Sequence, residues 1–457
     1  MIFTSEEIAR IVHGSLLPAT SDAAVSGIST DSRTLRPGDL FVPLHGPHYD
    51  GHDYLRQAVE HGAAACLSEE VVGGLSVPVI QVVDALQSLG EIAAHIRTNF
   101  AGPVFAITGT TGKTSTKEML ASILAEDKAG LKTEGNFNNL IGLPLTLSRL
   151  DSNHHWMVLE LGMSHPGEIA RLAQIAQPQV AVITNVGAGH LSGVGNISGV
   201  SHAKGELFDS LKSGTTAIVN NDDPWVAALP LPMGAERITF GIEHDADVSA
   251  MDISSGRHTS FTLLIAGGRY AVELPLPGRH QIYNALAAAA ATYSIGVDIE
   301  HIVAGLSQVK MAAARLEVRE LASGVTILDD SYNANPQSMQ AALTALGDWP
   351  CQGRRIAVLA DMLELGEAAE VCHREIGEIA AQKVDRLIAM GEWADVMIQG
   401  VAGISAEAVA CAGEVSTSCR SHAEIGRWLR DNLQRDDCVL IKGSRGMHME
   451  KVIQQFL

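Results

Sequence analysis

A chain of 457 residues is long enough for about three domains, and its 46% hydrophobic and 18% charged residues mark an ordinary globular protein, not a disordered one. The net charge of −20 repels nucleic acid, and no long basic stretch offsets it, so an anionic nucleotide would need local cations. The six cysteines, Cys66, Cys351, Cys372, Cys411, Cys419 and Cys438, include no Cys-x-x-Cys pair; this argues against a thiolate metal site and for free thiols in a reducing cytosol.

The first residues, Met1-Ile2-Phe3-Thr4-Ser5-Glu6-Glu7, lack the basic start of a signal peptide, and the run Ala285 to Ala291 is too short and broken to span a bilayer. A cytoplasmic protein with no membrane insertion is expected, and the alanine run reads as a tightly packed helix. Thr4-Ser5-Glu6-Glu7 caps a short helix that runs to about His13-Gly14. The stretch Thr30-Asp31-Ser32-Arg33 offers hydroxyls, a carboxylate and a guanidinium fork suited to an anionic sugar nucleotide. Pro37 to Leu44 reads as a turn and a strand, and the polar loop His45 to Tyr54, which includes His48 and Tyr49, follows.

Val104 to Thr108 is a β-branched and aromatic run expected to form a buried strand. It opens into Gly109-Thr110-Thr111-Gly112-Lys113-Thr114-Ser115, and Met119, Leu120, Ile123 and Leu124 then recur at helical spacing from Thr116 to Ala125. Strand, glycine loop and helix in this order cradle phosphate: the glycines let the backbone approach, and the helix N-terminus presents N–H groups. Lys113 can reach the β- and γ-phosphates of ATP, and the Thr114 hydroxyl can bind Mg²⁺. The general P-loop pattern has a glycine where this chain has Ile107.

Glu134 to Pro144 is a glycine- and asparagine-rich loop whose amides can hold polar ligand groups; the residues do not decide among Asn136, Asn138 and Asn139. Trp156 to Glu160 is an apolar strand ending in a carboxylate, at the sheet edge where parallel sheets bind ligands. Glu160 is therefore placed to hold Mg²⁺, which prefers oxygen. Val180 to Thr184 is a second such strand, opening into Asn185-Val186-Gly187-Ala188-Gly189-His190. Val325 to Asp330 ends in two acids and continues as Ser331-Tyr332-Asn333-Ala334-Asn335-Pro336. Strands at Ile356, Arg386–Met390 and Cys438–Ile441 alternate with helical stretches, an α/β pattern, and the last leads into the basic glycine loop Lys442-Gly443-Ser444-Arg445-Gly446.

The short loop Thr-Gly-Thr-x-Gly-Lys-Thr resembles that of the Mur ligases and folylpolyglutamate synthetases. Asp31-Ser32-Arg33 with Gly38 to Val42 and Asp50-Gly51 is similar to the uridine-binding domain of Mur ligases. Leu276 to Ala289, which contains Gly278-Arg279-His280-Gln281 and Asn284-Ala285, is close to their Gly-[Arg/Lys]-His-Asn-x-x-Asn-Ala signature, although Gln281 departs from its first asparagine. Asp329-Asp330-Ser331-Tyr332-Asn333-Ala334-Asn335-Pro336 resembles the members that add a dipeptide; those that add a single amino acid carry a different run there, and their Asp-Asn-Pro-Arg motif is missing.

The resemblance implies three α/β domains. A small uridine-binding domain would span 1–100, a central P-loop ATPase-like parallel sheet 101–312, and a Rossmann-like C-terminal domain 313–457. It implies an ADP-forming amide ligase that joins D-alanyl-D-alanine to UDP-MurNAc-tripeptide through an acyl phosphate, with ATP and two Mg²⁺ ions, and a monomer is expected. Carried over residue by residue, Lys113, Lys204 and Arg315 would be catalytic. Thr108 to Ser115, Asn284, Arg315 and Asp330 would meet ATP, and Thr114, Glu160, His190 and a carbamylated Lys204 would hold metal. Thr30 to Arg33, His48, Tyr49, the three loop asparagines, Ser331, Asn333 and Asn335 would meet the other substrates. The alternatives are another amide ligase of the superfamily, MurE-like or folylpolyglutamate synthetase-like, and a non-catalytic ATP-binding regulator.

Overall fold

The computed structural model describes residues 3–17, 22–402 and 417–456, so Cys411 lies outside the described residues. The other five cysteines are free thiols. No described helix is long and apolar enough to cross a membrane.

The first helix is Ser5–Ile11, closed by a capping box in which the Thr4 hydroxyl accepts the Glu7 N–H and the Glu7 carboxylate accepts the Thr4 N–H. Beyond it lies a five-stranded sheet in the order Ser15–Leu17, Val79–Gln81, Ala65–Ser68, Asp39–Phe41, Gly27–Ser29. Only the Ser15–Leu17 edge is antiparallel. Its apolar face shares one continuous core with a face of the central sheet, from Ile8, Leu40 and Leu67 through Leu89 and Ile92 to Ala106 and Leu159. Arg97, 5% exposed, ties this junction from within, donating to the carbonyls of Ala176, Gln177 and Phe100 at 2.8, 2.9 and 3.0 Å.

The central sheet has nine strands. Seven run parallel, in the order Val248–Ser255, Glu236–Gly241, Thr216–Asn220, Val180–Ile183, Val104–Thr108, Met157–Glu160, Leu131–Lys132. Thr259–Ile265 and Gly268–Leu274 add an antiparallel edge. Val104–Thr108 is wholly buried between Met157–Glu160 and Val180–Ile183, with Ile107 opposite Glu160 and Thr108 opposite Ile183. Such a strand, covered on both faces, reads as continuous apolar sequence, which is how it reads here.

The loop helix starts at Lys113, three residues before its apolar periodicity becomes visible, and runs to Ala125. It packs on His280–Tyr293 and Ile299–Ser307. The alanine run lies inside the first of these, with Ala285 and Ala287 to Ala291 fully buried. At Gly305 a Cβ would lie 2.4 Å from the Ile123 Cα, so only glycine permits this helix contact.

The third sheet has six described strands, ordered Glu317–Glu320, Thr326–Asp330, Cys438–Lys442, Arg355–Ala360, Arg386–Met390, Thr417–Cys419. All neighbours are parallel except the first pair. Two apolar clusters cover its faces, one around Leu343 and Leu359, the other around Ile327 and Ile453.

Candidate active site

The phosphate loop bends where two glycines take conformations that other residues avoid. Gly109 has φ 154°, and a Cβ there would lie 1.8 Å from the Thr184 hydroxyl; Gly112 has φ 79°, and its Cβ would meet Asn284 Oδ1 at 2.3 Å. Gly112 caps the helix with no side-chain acceptor, so the first-turn N–H groups stay open to an anion. The rest of the loop is fastened from the strand 180–183 side. Asn185 accepts the Thr110 N–H through its carbonyl at 3.0 Å and the Thr111 N–H through Oδ1 at 2.9 Å. The Gly187 N–H donates to the Thr110 hydroxyl at 2.9 Å.

Lys113 folds back over the loop, donating from Nζ to the carbonyls of Gly109 and Thr110 at 2.7 and 3.3 Å. Burial lowers its pKa; Glu160 opposes that and Arg315 adds to it. Lys204 lies on the helix Ile197–Asp209 with 2% of its surface exposed, and among the described residues it has no hydrogen bond or ion pair. Burial, then the nearby Lys113, pushes it well below the ordinary lysine value. Glu160, 3% exposed, is the carboxylate that acts on Lys113. Its Oε2 accepts the Thr114 hydroxyl at 2.9 Å and its Oε1 the Asn138 amide at 3.0 Å.

Of the three loop asparagines, Asn138 alone reaches this centre. Asn136 is exposed, and Asn139 uses Oδ1 to accept the N–H groups of Ile141 and Gly142 at 3.1 and 2.8 Å. Asn284 is buried behind the loop against Thr116 and Gln281. Thr108 is wholly buried, its hydroxyl donating to the Leu161 carbonyl at 2.9 Å; Ser115 is buried too.

The third sheet closes one side of the centre. Arg315 stacks on Tyr332, with Cζ 4.2 Å from the ring centre, and both line a cavity of about 160 Å³ beside Thr114, Lys117 and Lys132. Asp330 is paired with Lys442 at 2.5 Å and accepts the Leu316 N–H at 3.1 Å. Ser331 is buried and donates to Asp329 at 2.6 Å; Asn333 accepts the Arg445 N–H; Asn335 caps the helix Pro336–Asp348. His280, for which sequence reasoning found no role, lies near Asp330 and Lys442 and is pushed down to about 4, mainly by burial. Its signal was its place at the start of the Asn284 helix.

In the N-terminal sheet, Arg33 grips Asp31 through two nitrogens at 2.9 and 2.7 Å, and Asp31 is held down to about 2 by that guanidinium. Ser32 is buried and donates to Gln57; Thr30 is half-buried; His48 and Tyr49 are exposed. Among the described residues no hydrogen bond or ion pair joins these residues to the phosphate loop. His45, Asp50 and His52 cluster at metal-ligand spacing. His52, however, accepts the Glu69 N–H at Nε2 and turns Nδ1 to Asp50 at 2.8 Å, which leaves neither nitrogen for a metal.

The residues around Glu160 suit a divalent cation. They supply a buried carboxylate and a hydroxyl, with a histidine one loop away and the buried residue Lys204 beside Lys113.

Comparison with known proteins covers the three larger sheets. The Mur ligase family catalytic domain matches residues 24–97, the Mur ligase middle domain 107–292, and the Mur ligase glutamate ligase domain 314–445. UDP-N-acetylmuramoyl-tripeptide–D-alanyl-D-alanine ligase of Escherichia coli is 38% identical over 99% of this chain and 97% of its own. A crystal structure of MurF from Acinetobacter baumannii superposes with a TM-score of 0.91 at 31% identity, covering 100% of this chain and 99% of that one. MurF ligase from Thermotoga maritima in complex with ADP gives a TM-score of 0.84 at 29% identity, over 94% and 97% of the two chains.

Proposed function

The chain belongs to the Mur ligase family, and from that premise we propose that it joins D-alanyl-D-alanine to UDP-N-acetylmuramoyl-tripeptide with ATP, releasing ADP and phosphate. The observation that carries this is the cation cluster. Lys113 acts electrically with Arg315 and with the carboxylate Glu160, and Arg315 lines one cavity with Lys117 and Lys132, within a molecule of net charge −20. Such a centre is built for ligands that bring negative charge, and three anionic groups must meet in this reaction.

The tripeptide carboxylate is a poor electrophile. Its oxygen attacks the γ-phosphorus of ATP, the bond from that phosphorus to the β-bridging oxygen breaks, and ADP leaves. The acyl phosphate now has a good leaving group. The dipeptide's free amine adds to the acyl carbon, loses a proton, and the carbon–oxygen bond to phosphate breaks. Lys113 and the first-turn N–H groups hold the β- and γ-phosphates. Arg315, held flat by Tyr332, neutralises charge on the transferring phosphoryl group. Thr114, Glu160, His190 and Lys204 would hold Mg²⁺, which supplies charge neutralisation at the phosphate oxygens when bound.

For Lys204 this role needs a carbamate. A protonated lysine would oppose a metal, whereas burial favours the neutral amine, the form that reacts with CO₂; the product is an oxygen ligand. Residues 1–100 would carry the uridine end, 101–312 ATP, and 313–457 the incoming dipeptide. The exposed His48 and Tyr49 and the exposed Arg33, which is held by Asp31, would meet the sugar nucleotide. The enzyme would work as a cytoplasmic monomer. The test is a substrate panel read by product mass. Addition of one D-alanyl-D-alanine to UDP-MurNAc-tripeptide, with stoichiometric phosphate release, is expected; nucleotide binding without turnover would favour a regulator.

A further inference from the structure

A metal-binding histidine is oriented by whatever holds its other ring nitrogen, and that partner is commonly a carboxylate on the same framework. His190 has such a partner from the opposite side of the cleft. Its Nδ1 lies 2.6 Å from Glu364 Oε2, a contact that bridges 174 positions of sequence. His190 follows the central strand Val180–Ile183, and Glu364 follows Arg355–Ala360 of the third sheet.

Both ends are built with care. His190 and Glu364 each hold a left-handed backbone, at φ 58° and 63°, which non-glycine residues adopt only when their surroundings impose it. The Ser192 N–H donates to the Glu364 carbonyl at 3.3 Å, so backbone as well as side chains meet here. Behind Glu364 the loop is pinned: the Leu363 N–H donates to the Ser444 hydroxyl and the Met362 N–H to His373 Nε2, both at 2.9 Å. In front, Gly189 brings the His190 loop against the phosphate loop, where a Cβ would lie 3.0 Å from Thr110 Cγ2. Beside it Gln337 of the third-sheet domain reaches the Val186 carbonyl.

Glu364 offers a carboxylate oxygen, an acceptor, to His190 Nδ1. A neutral His190 must then carry its proton on Nδ1, and Nε2 keeps a free lone pair.

We propose that Glu364 is a positioning residue that fixes His190 as a metal ligand, so that the metal site is complete only when the C-terminal domain is docked on the central one. This rests on the reading of His190 as a ligand of Mg²⁺. By linkage, metal binding and docking of the C-terminal domain then favour each other. Sequence alone could not pair the two residues, because each sits in a different domain and neither motif names the other.

The experiment is a Mn²⁺ titration of the full chain with ADP, followed by electron paramagnetic resonance of free Mn²⁺. Glu364→Ala should weaken Mn²⁺ binding by about 10–100-fold. Glu364→Gln, which keeps an acceptor but no charge, should fall between it and the unaltered chain, and His190→Ala should weaken binding at least as much as Glu364→Ala. The metal-free unfolding midpoint of Glu364→Gln should be unchanged, so a general loss of structure would not account for the effect. Normal Mn²⁺ binding by both Glu364 variants, with weak binding by His190→Ala, would overturn the role of Glu364 and leave the metal site standing. Normal binding by His190→Ala would overturn both.

Discussion

The guanidinium of Arg315 lies flat over Tyr332, 4.2 Å from the ring centre, while Arg445 approaches the same ring at 5.6 Å. One aromatic side chain therefore organises two cations from different loops, and Arg315 meets the phosphate-loop side of the cleft already oriented. A cation held on an aromatic face is worth about 1 kcal/mol or more when desolvated. Tyr332→Leu should raise the KM for ATP roughly 5–10-fold with little change in the fold. Tyr332→Phe keeps the ring and should stay close to the parent. Steady-state phosphate release at varied ATP distinguishes the two.

Lys113→Ala should lose ligation by at least about 100-fold, the scale of removing one strong charge-stabilising donor. The side chain bonds only loop carbonyls, so cooperative thermal unfolding should persist. Near-normal turnover would remove Lys113 from the phosphate role.

Lys204→Ala should lose most activity, and a small carboxylic acid at high concentration should restore part of it by filling the vacant oxygen position. The same acid should not rescue Lys113→Ala, whose missing group is a cation. Full activity of Lys204→Ala, or absence of the carbamate mass and carbon signal in a ¹³C-bicarbonate NMR experiment, would count against the carbamate.

Asp222 predicts an acid-dependent stability. Burial alone would raise its carboxyl, but the N–H groups of Ile242 and Glu243, with His244 and the Tyr283 hydroxyl, outweigh burial and hold it at about 2. The unfolded value is 3.8, so the unfolded chain takes up the proton first. The contribution is whole above about pH 4 and is lost as pH falls towards about 2, on the order of 1–2 kcal/mol. Asp222→Asn should lower the urea midpoint at neutral pH and flatten that part of the acid limb. An unchanged limb would show that other carboxylates dominate it.

Much of the fold was legible because its signals are local. Val104 to Thr108 and Val180 to Ile183 are continuous apolar runs ending in glycine loops, and they form adjacent strands. The meeting of Thr114 with Glu160 follows from a hydroxyl at the loop helix and an acid at the end of the neighbouring strand. The antiparallel edge from Thr259 to Leu274 went unread, although Thr259–Ile265 alternates buried and open positions as a half-covered strand should. Other features were not local at all. Lys204 sits on a helix whose sequence suggests a solvated lysine, and only the fold reveals its burial. Asp330 carries two acceptor roles, to Lys442 and to Leu316, that its motif does not announce.

The floor beneath the phosphate loop has a consequence for genetics. Helix Lys113–Ala125 rests on a neighbour whose packing face is alanine, and on Gly305, whose carbonyl also accepts the Ser122 hydroxyl at 2.7 Å. Nothing there can give way: one added methyl at Gly305 would strike the Ile123 backbone. Gly305→Ala would lift the helix that carries Lys113 and Thr114 without touching any ligand. In a mutant screen such an allele would score as a nucleotide-binding lesion, and a suppressor of it would map to Ile123 or its helix, not to the loop whose function was lost.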